Sequence, residues 1–299
     1  MSSDVTHARL ELAGAAGSLC ADRWVAGGDR GALLMLHGGG QTRHSWNRAA
    51  RSLAAEDWQV FTVDARGHGQ SAWAPDGDYS IDGFVADFLL ITEQVQRLTR
   101  TPIPPVVVGA SLGGITALLG QGERGGAARA LVLVDIAPRI EMAGAQRVGA
   151  FMRSAPSGFA SLEEVADAVA AYQPHRRRPA NTDNLRRNVR YGEDGRLYWH
   201  WDPQFLRLGD EANDAPLRHQ RLIAAARRID VPTLLVRGAM SDIVSDDGVD
   251  ELLELIPAAR VVDVAGAAHM VAGDDNAVFV DQMTDFLLGL PAGNEANNS

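Results

Sequence analysis

Three residues spread over more than half of a 299-residue chain, Ser111, Asp242 and His269, are of the types that together make a reactive alcohol. A serine hydroxyl attacks poorly until a base removes its proton. An imidazole does this well when a carboxylate fixes its tautomer and stabilises the imidazolium. Ser111 sits in Gly109-Ala110-Ser111-Leu112-Gly113, a Gly-x-Ser-x-Gly pattern. The β-branched run Val106-Val107-Val108 precedes it, and a small, apolar stretch from Gly113 follows. This reads as a strand buried on both faces, a sharp turn, then a helix packed closely on a sheet. Such a turn strains and exposes the side chain at its apex, beside a helix N-terminus that favours developing negative charge. Glycine on either side leaves room for the neighbouring backbone.

His269 lies in Gly266-Ala267-Ala268-His269-Met270, between a late strand and the final helix. Asp242 follows a strand ending at Val236, in Arg237-Gly238-Ala239-Met240-Ser241-Asp242. A turn or helix-cap role competes for it, since Asp246 and Asp247 are close; Asp135, at the end of an earlier strand, is the alternative acid. An attacked carbonyl develops an oxyanion that needs preorganised donors. The amide of Leu112, at the helix start, is one. The second is expected from His37-Gly38-Gly39-Gly40, with Gly39 first and Gly40 second, and His37 orienting the loop by hydrogen bonding.

The elements that must position these residues alternate along the chain. Two segments, Ala8–Leu12 and Ser18–Val25, suit an antiparallel hairpin at a sheet edge. Apolar strands follow at 32–36, 59–63, up to Ser111, and 130–136, with helices near 45–55 and from Ser80, a plausible N-cap. Apolar residues at Phe84, Val85, Phe88, Ile91, Val95 and Leu98 fall at helical spacing. This alternation predicts an α/β fold, a doubly wound and mostly parallel sheet of eight strands. The period breaks between Pro138 and about Arg228. Here a capping box, Ser161-x-x-Glu164, opens one helix, another covers 216–227, and a hairpin spans Asn188–Trp201. Alternation resumes with strands at 232–236 and 260–264 and helices at 246–256 and 276–290. The expected organisation is a core of residues 1–137 and 229–290, an inserted and mainly helical cap at 138–228, and a disordered tail at 291–299. Trp46, Phe151, Met152, Tyr198, Trp199 and Trp201 are the candidate walls of a substrate pocket beneath that cap.

Composition narrows the partners. A net charge of -10 argues against nucleic acid or an anionic membrane, both of which need a basic surface. The single cysteine, Cys20, excludes an intrachain disulfide and cysteine-rich metal sites. No metal or cofactor is expected, and a small-molecule substrate is the expected partner, with a homodimer possible. The first residues carry no basic stretch followed by an apolar one, so a cytoplasmic address is expected.

His37-Gly38-Gly39, Asp64-x-Arg66-Gly67-His68-Gly69-x-Ser71, Gly109-x-Ser111-x-Gly113, Gly238-x-x-x-Asp242 and His269 together resemble the α/β-hydrolase superfamily. The resemblance is to its cap-bearing esterases, epoxide hydrolases, haloalkane dehalogenases and cofactor-free haloperoxidases, over about 30–137 and 229–290. It implies Ser111 as nucleophile, Asp242 as acid, His269 as base, Gly39 and Leu112 as oxyanion donors, and a structural turn at Asp64–Ser71. Serine at the elbow departs from the epoxide hydrolases and dehalogenases, which carry aspartate there. Leu112 departs from the tryptophan usual in prolyl aminopeptidase relatives and the methionine usual in haloperoxidases. The implied activity is hydrolysis of a carboxylic ester or lactone through an acyl-enzyme. The alternatives are carbon–carbon bond hydrolysis or peracid formation with the same triad, and a non-catalytic binder on this scaffold.

Overall fold

The computed structural model of the chain describes residues 4–174, 178, 181–210, 215–265, 267 and 276–290. Strands β1 (Thr6–Ala13) and β2 (Ser18–Val25) form the expected antiparallel hairpin. β3 (Ala32–Leu36), a short 3-10 turn at Arg43–Trp46, α1 (Asn47–Ala55), β4 (Gln59–Val63) and α2 (Ile81–Thr99) follow. Then come β5 (Val106–Ala110), α3 (Leu112–Arg124) and β6 (Ala130–Val134). After β6 the chain forms α4 (Met142–Met152), α5 (Leu162–Tyr172) and a small hairpin of β7 (Val189–Tyr191) and β8 (Leu197–Trp199). Two 3-10 stretches, Asp183–Asn188 and Pro203–Asp210, flank that hairpin. α6 (Ala215–Ala226), β9 (Thr233–Gly238), α7 (Asp246–Leu255), β10 (Arg260–Val264) and α8 (Asn276–Leu288) complete the described elements.

The large sheet has eight strands in the order β1-β2-β4-β3-β5-β6-β9-β10. β2 pairs antiparallel with β1 and β4, and every other neighbour is parallel. Helices cover both faces, which is why the central strands read as unbroken apolar runs. One face buries Trp24, Met35, Leu53, Phe279 and Met283 between α1 and α8, and the other buries Leu34, Phe61, Phe88, Leu119 and Leu222 under α2, α3 and α6. Leu33, Leu34 and Met35 have no exposed surface at all. Each such side chain contributes about 1.5–3 kcal/mol through burial.

The register aligns the strand ends that matter. Leu36 pairs with Gly109, Ala110 with Val134, and Val134 with Val236. The residues that follow, His37, Ser111, Asp135 and Arg237, therefore emerge along one rim. Ser80 caps α2, its hydroxyl accepting from Gly83 N at 3.1 Å. At α5, Ser161 Oγ accepts from Glu164 N at 3.3 Å, while the Glu164 carboxylate reaches back to Ala160 N at 2.7 Å.

One helix of the insert, α4, has no counterpart in the sequence reading. Gly144 and Gly149 lower its helical propensity and interrupt its pattern. A Cβ on Gly144 would lie 2.1 Å from the Asp242 carbonyl oxygen, so the helix sits directly on that loop. Among the described residues, no helix is long and apolar enough to cross a membrane.

Candidate active site

Ser111 adopts φ 46° and ψ -114°, a conformation that non-glycine residues avoid. The turn is fixed from both sides, Ser111 N donating to Val134 O and Ile115 N donating to Ser111 O. The glycines around it are needed sterically. A Cβ at Gly109 would lie 2.5 Å from Gly113 O, and one at Gly113 would lie 2.5 Å from Leu36 O. The Ser111 side chain makes no capping bond to α3 and is only half-buried. Its hydroxyl is held up by strained backbone yet is not used by the helix beneath it.

The loop after β3 lies against this turn: a Cβ on Gly38 would be 3.1 Å from the Ser111 Cβ. Its peptide groups are fixed one after another. His37 Nδ1–H donates to Gly38 O at 2.8 Å, and Gln41 N also donates to Gly38 O. In a trans peptide the N–H points opposite to the C=O, so the Gly39 N–H is directed away from both. The Gly40 N–H donates to His68 Nε2 at 3.1 Å, which commits it. Neither the Gly39 nor the Leu112 amide is paired with another described residue. Of the two glycines that the sequence leaves as alternatives, Gly40 thus has its N–H engaged, and Gly39 does not among the described residues.

The turn Asp64–Ser71 is the anvil for this loop. Asp64, fully buried, accepts from Arg43 N at 2.6 Å, from the Arg43 guanidinium at 2.6 Å and from Gln70 N at 2.9 Å. Arg43 also pairs with Asp22 at 2.9 Å. Ala65 N donates to His37 Nε2, and Arg66 is anchored on Asp87. His68 is consumed here and has no free edge to act as a base. Its Nδ1–H donates to Arg66 O at 3.0 Å.

Three buried imidazoles, His37, His68 and His200, meet in this network, with ring centroids 5.3 Å and 5.8 Å apart between neighbours. Each accepts a backbone N–H on one nitrogen and donates to a carbonyl from the other, which requires the neutral ring. Burial pushes all three below the ordinary histidine range, His200 down to about 4. The unfolded chain binds protons on these rings below about pH 6.5 while the folded one does not. The stability they contribute is complete above that pH and is lost as pH falls below it, for His200 down to about 4. Thermal melts over this window are expected to show falling stability, at about 1.4 kcal/mol per pH unit for each ring that resists protonation. A flat profile there would contradict the neutral network.

Asp242 and Asp135 occupy different environments. Asp242 is one-third exposed, and its Oδ1 accepts from Arg147 Nη2 of α4 at 2.8 Å. The Arg147 guanidinium in turn lies 5.8 Å over the Tyr172 ring. Asp135 is wholly buried at φ 50°. Its Oδ1 accepts from Gly238 N at 3.0 Å and its Oδ2 from Ser241 Oγ at 2.7 Å. Ser241 Oγ accepts in turn from Ile243 N and Val244 N. Asp135 therefore braces the loop that carries Asp242. His269 lies outside the described residues. Ala267, two positions before it, is described: its carbonyl accepts from Met240 N at 2.9 Å, two positions before Asp242.

The aromatic residues divide. Met152 lies over the glycine loop, its sulfur and methyl 3.3 Å from where a Gly40 Cβ would stand. Phe205, which the sequence did not single out, approaches the Gly39 position to 3.4 Å and packs edge-on to His68. Trp199 and Trp201 stack on each other at 5.1 Å, and Phe151 and Phe159 close around Trp199. Together they form the core of the insert, against which the Leu112 side chain packs. Tyr198 turns to the outer side, where its hydroxyl meets Asp194 and Arg190 lies 5.3 Å over its ring. Trp46, in contrast to the expectation of a pocket wall, is buried in the α1–α8 core, 5.8 Å from Phe279. The 3-10 turn rotates it inward. Among the described residues, no group of three His, Cys, Asp or Glu is placed to hold a metal ion.

A family model described as "alpha/beta hydrolase fold" matches residues 31–275. Esterase Rv0045c of Mycobacterium tuberculosis is 30% identical over 278 residues, covering 89% of this chain and 85% of the esterase. Its solved structure superposes with a TM-score of 0.71 over 95% of this chain and 92% of that one. The 3-hydroxybutyrate-oligomer hydrolase of Cupriavidus necator is 28% identical, covering 79% of this chain and 82% of its own. The solved E-2-(acetamidomethylene)succinate hydrolase has a TM-score of 0.80 at 22% identity, covering 95% of this chain and all of that one, a likeness of fold. With the model spanning most of its length and the sheet order and serine turn in place, the chain belongs to the α/β-hydrolase fold family.

Proposed function

We propose that this protein is a serine hydrolase that cleaves a carboxylic ester or lactone of a small, largely apolar substrate through an acyl-enzyme. The class, a carboxylic ester hydrolase on the α/β fold, follows from the relatives named as esterase and oligomer hydrolase. The observation that carries the mechanism is the Ser111 turn, strained and with its hydroxyl unused by α3, beside a loop whose Gly39 amide is uncommitted. Ser111 Oγ attacks the carbonyl carbon as His269 takes its proton. The oxyanion is received by the Gly39 and Leu112 amides, and the proton passes to the departing alcohol oxygen. Water, deprotonated by the same imidazole, then releases the acid and restores Ser111.

Asp242 orients the imidazole. Arg147 occupies its Oδ1 and leaves Oδ2 for that role. The Ala267–Met240 bond supports the pairing, because it joins the chain just before His269 to the chain just before Asp242. Residues 138–228 act as the cap. Met152 and Phe205 crowd the glycine loop, which favours a short acyl group. The reaction needs no cofactor, and a cytoplasmic small molecule is its substrate.

A fluorophosphonate probe is expected to label Ser111 at neutral pH, and a series of nitrophenyl esters to be turned over faster at acetyl and butyryl than at octanoyl length. Absence of labelling would favour a non-catalytic binder. Labelling with turnover of a ring-cleavage diketone, but of no ester or lactone, would move the reaction to carbon–carbon hydrolysis.

A further inference from the structure

The glycine loop is fixed by a sequence of hydrogen bonds, and one of them comes from outside the core. His37, Gln41 and His68 hold the Gly38 carbonyl and the Gly40 amide, and all three belong to the segments after β3 and β4. The Gly40 carbonyl instead accepts from His200 Nε2–H at 3.3 Å, 160 residues away at the end of the β7–β8 hairpin. The opposite edge of the same ring, Nδ1, accepts from Gly69 N at 2.8 Å. His200 is 4% exposed. Its neighbour Asp202 repeats the attachment, its N donating to Gly67 O at 2.8 Å and its carboxylate accepting from the Tyr79 hydroxyl. The insert is thus pinned to the Asp64–Ser71 turn at Gly67 and Gly69, and through one imidazole to the peptide group after Gly40.

We propose that His200 is a positioning residue for catalysis: by bridging Gly69 and Gly40 it makes the orientation of the Gly39 donor depend on the docked insert. The inference rests on the ester-hydrolase reading above, in which Gly39 receives the oxyanion. Gly40, at φ 74°, is the hinge of the loop. Its N–H is held by His68 and its carbonyl by His200. The plane that His200 holds carries the Gln41 N–H, which donates to Gly38 O in the plane of the Gly39 N–H, so the bond to His200 reaches the Gly39 donor through Gln41. Loss of the His200 bond frees the plane that carries the Gln41 N–H and loosens its bond to Gly38 O, leaving His37 alone to orient the peptide of the Gly39 donor, which costs donor alignment more than substrate contact. His37, His68 and His44 face this ring as titratable neighbours, and Asp64 and Arg43 are the charges behind them. No carboxylate bonds the ring directly, so its two contacts are hydrogen bonds of a neutral imidazole.

The two edges of the ring can be tested separately. Asparagine at 200 places an acceptor near Nδ1 and keeps the Gly69 contact, whereas glutamine reaches the Nε2 position and keeps the Gly40 contact. His200→Asn is expected to lower kcat on a short-chain nitrophenyl ester about 10- to 100-fold, in line with the cost of a small misalignment, with KM changed less than about threefold. His200→Gln is expected to recover most of kcat. Amide hydrogen exchange in the peptide spanning 37–43 should speed up in His200→Asn and return toward the parent rate in His200→Gln. Unchanged exchange and kcat in His200→Asn would overturn the inference. So would a kcat loss that follows melting temperature in both variants without rescue by glutamine, since that marks plain packing. If the parent chain neither labels with the fluorophosphonate nor turns over any ester, the ester-hydrolase reading fails by itself, and the exchange of residues 37–43 still decides whether His200 fixes the loop.

Discussion

Ser111→Ala is expected to abolish turnover, on the order of 10⁴- to 10⁶-fold in kcat, while the melting temperature stays close to that of the parent. The rate loss follows from chemistry: without Oγ no acyl-enzyme forms, and residual hydrolysis rests on donors and binding alone. The stability follows from structure. The serine side chain is half-buried and caps no helix amide, so little packing and no capping bond are lost. Its φ of 46° is strained for serine and equally strained for alanine, at a cost of order 1–3 kcal/mol in either case. The strain therefore cancels in the difference between the two proteins. Ester hydrolysis and thermal melts on the same preparations check both halves. A large drop in melting temperature would show that the hydroxyl is a buried structural group, and the nucleophile would have to be sought elsewhere.

Much of what positions Ser111 is legible in the sequence because its constraints are local. Three consecutive valines, two prolines before them and glycines around the serine leave few alternatives to a buried strand and a tight turn. The strands buried on both faces are equally plain, as are the caps at Ser80 and Ser161, where one side chain and one amide decide the outcome. The insert is less legible. In α4, Gly144 allows a close approach to Asp242, a tertiary demand that overrides propensity. Trp46 stands three residues beyond Arg43 and close to the glycine loop in sequence, yet a single 3-10 turn is enough to send it into the opposite core. Nothing in the sequence marks His200 or Phe205 apart from the aromatic residues around them. A lone histidine between two tryptophans carries no spacing signal, and its partners, Gly40 and Gly69, are far away in the chain. The two candidate acids were inseparable for a related reason. Both follow strands of the sheet, and only burial and hydrogen-bond partners tell them apart.

That difference gives the second large effect, in which the two aspartates fail in different ways. Asp242→Asn is expected to lower kcat by about 10²- to 10⁴-fold, because an amide cannot hold the imidazole in the tautomer that accepts the serine proton. Its stability cost is small: the carboxylate is one-third exposed, and its pair with the half-exposed Arg147 is of a kind worth about 0–1 kcal/mol. Asp135→Asn reverses the pattern. Its two oxygens accept from Gly238 N and from Ser241 Oγ in a site with no solvent exposure. An amide nitrogen in place of one oxygen must face either the Gly238 N–H, donor against donor, or Ser241 Oγ, which already accepts from two backbone amides. Either placement leaves a buried polar group poorly matched, at about 1–3 kcal/mol. The expected result is a lower melting temperature, with a loss of kcat in the protein that remains folded that is smaller than the loss in Asp242→Asn. Measuring kcat and melting temperature for both variants separates the roles. If Asp135→Asn silences the enzyme at unchanged stability while Asp242→Asn remains active, the catalytic acid stands at the end of β6 and the Arg147–Asp242 pair is no more than a contact between the insert and the core.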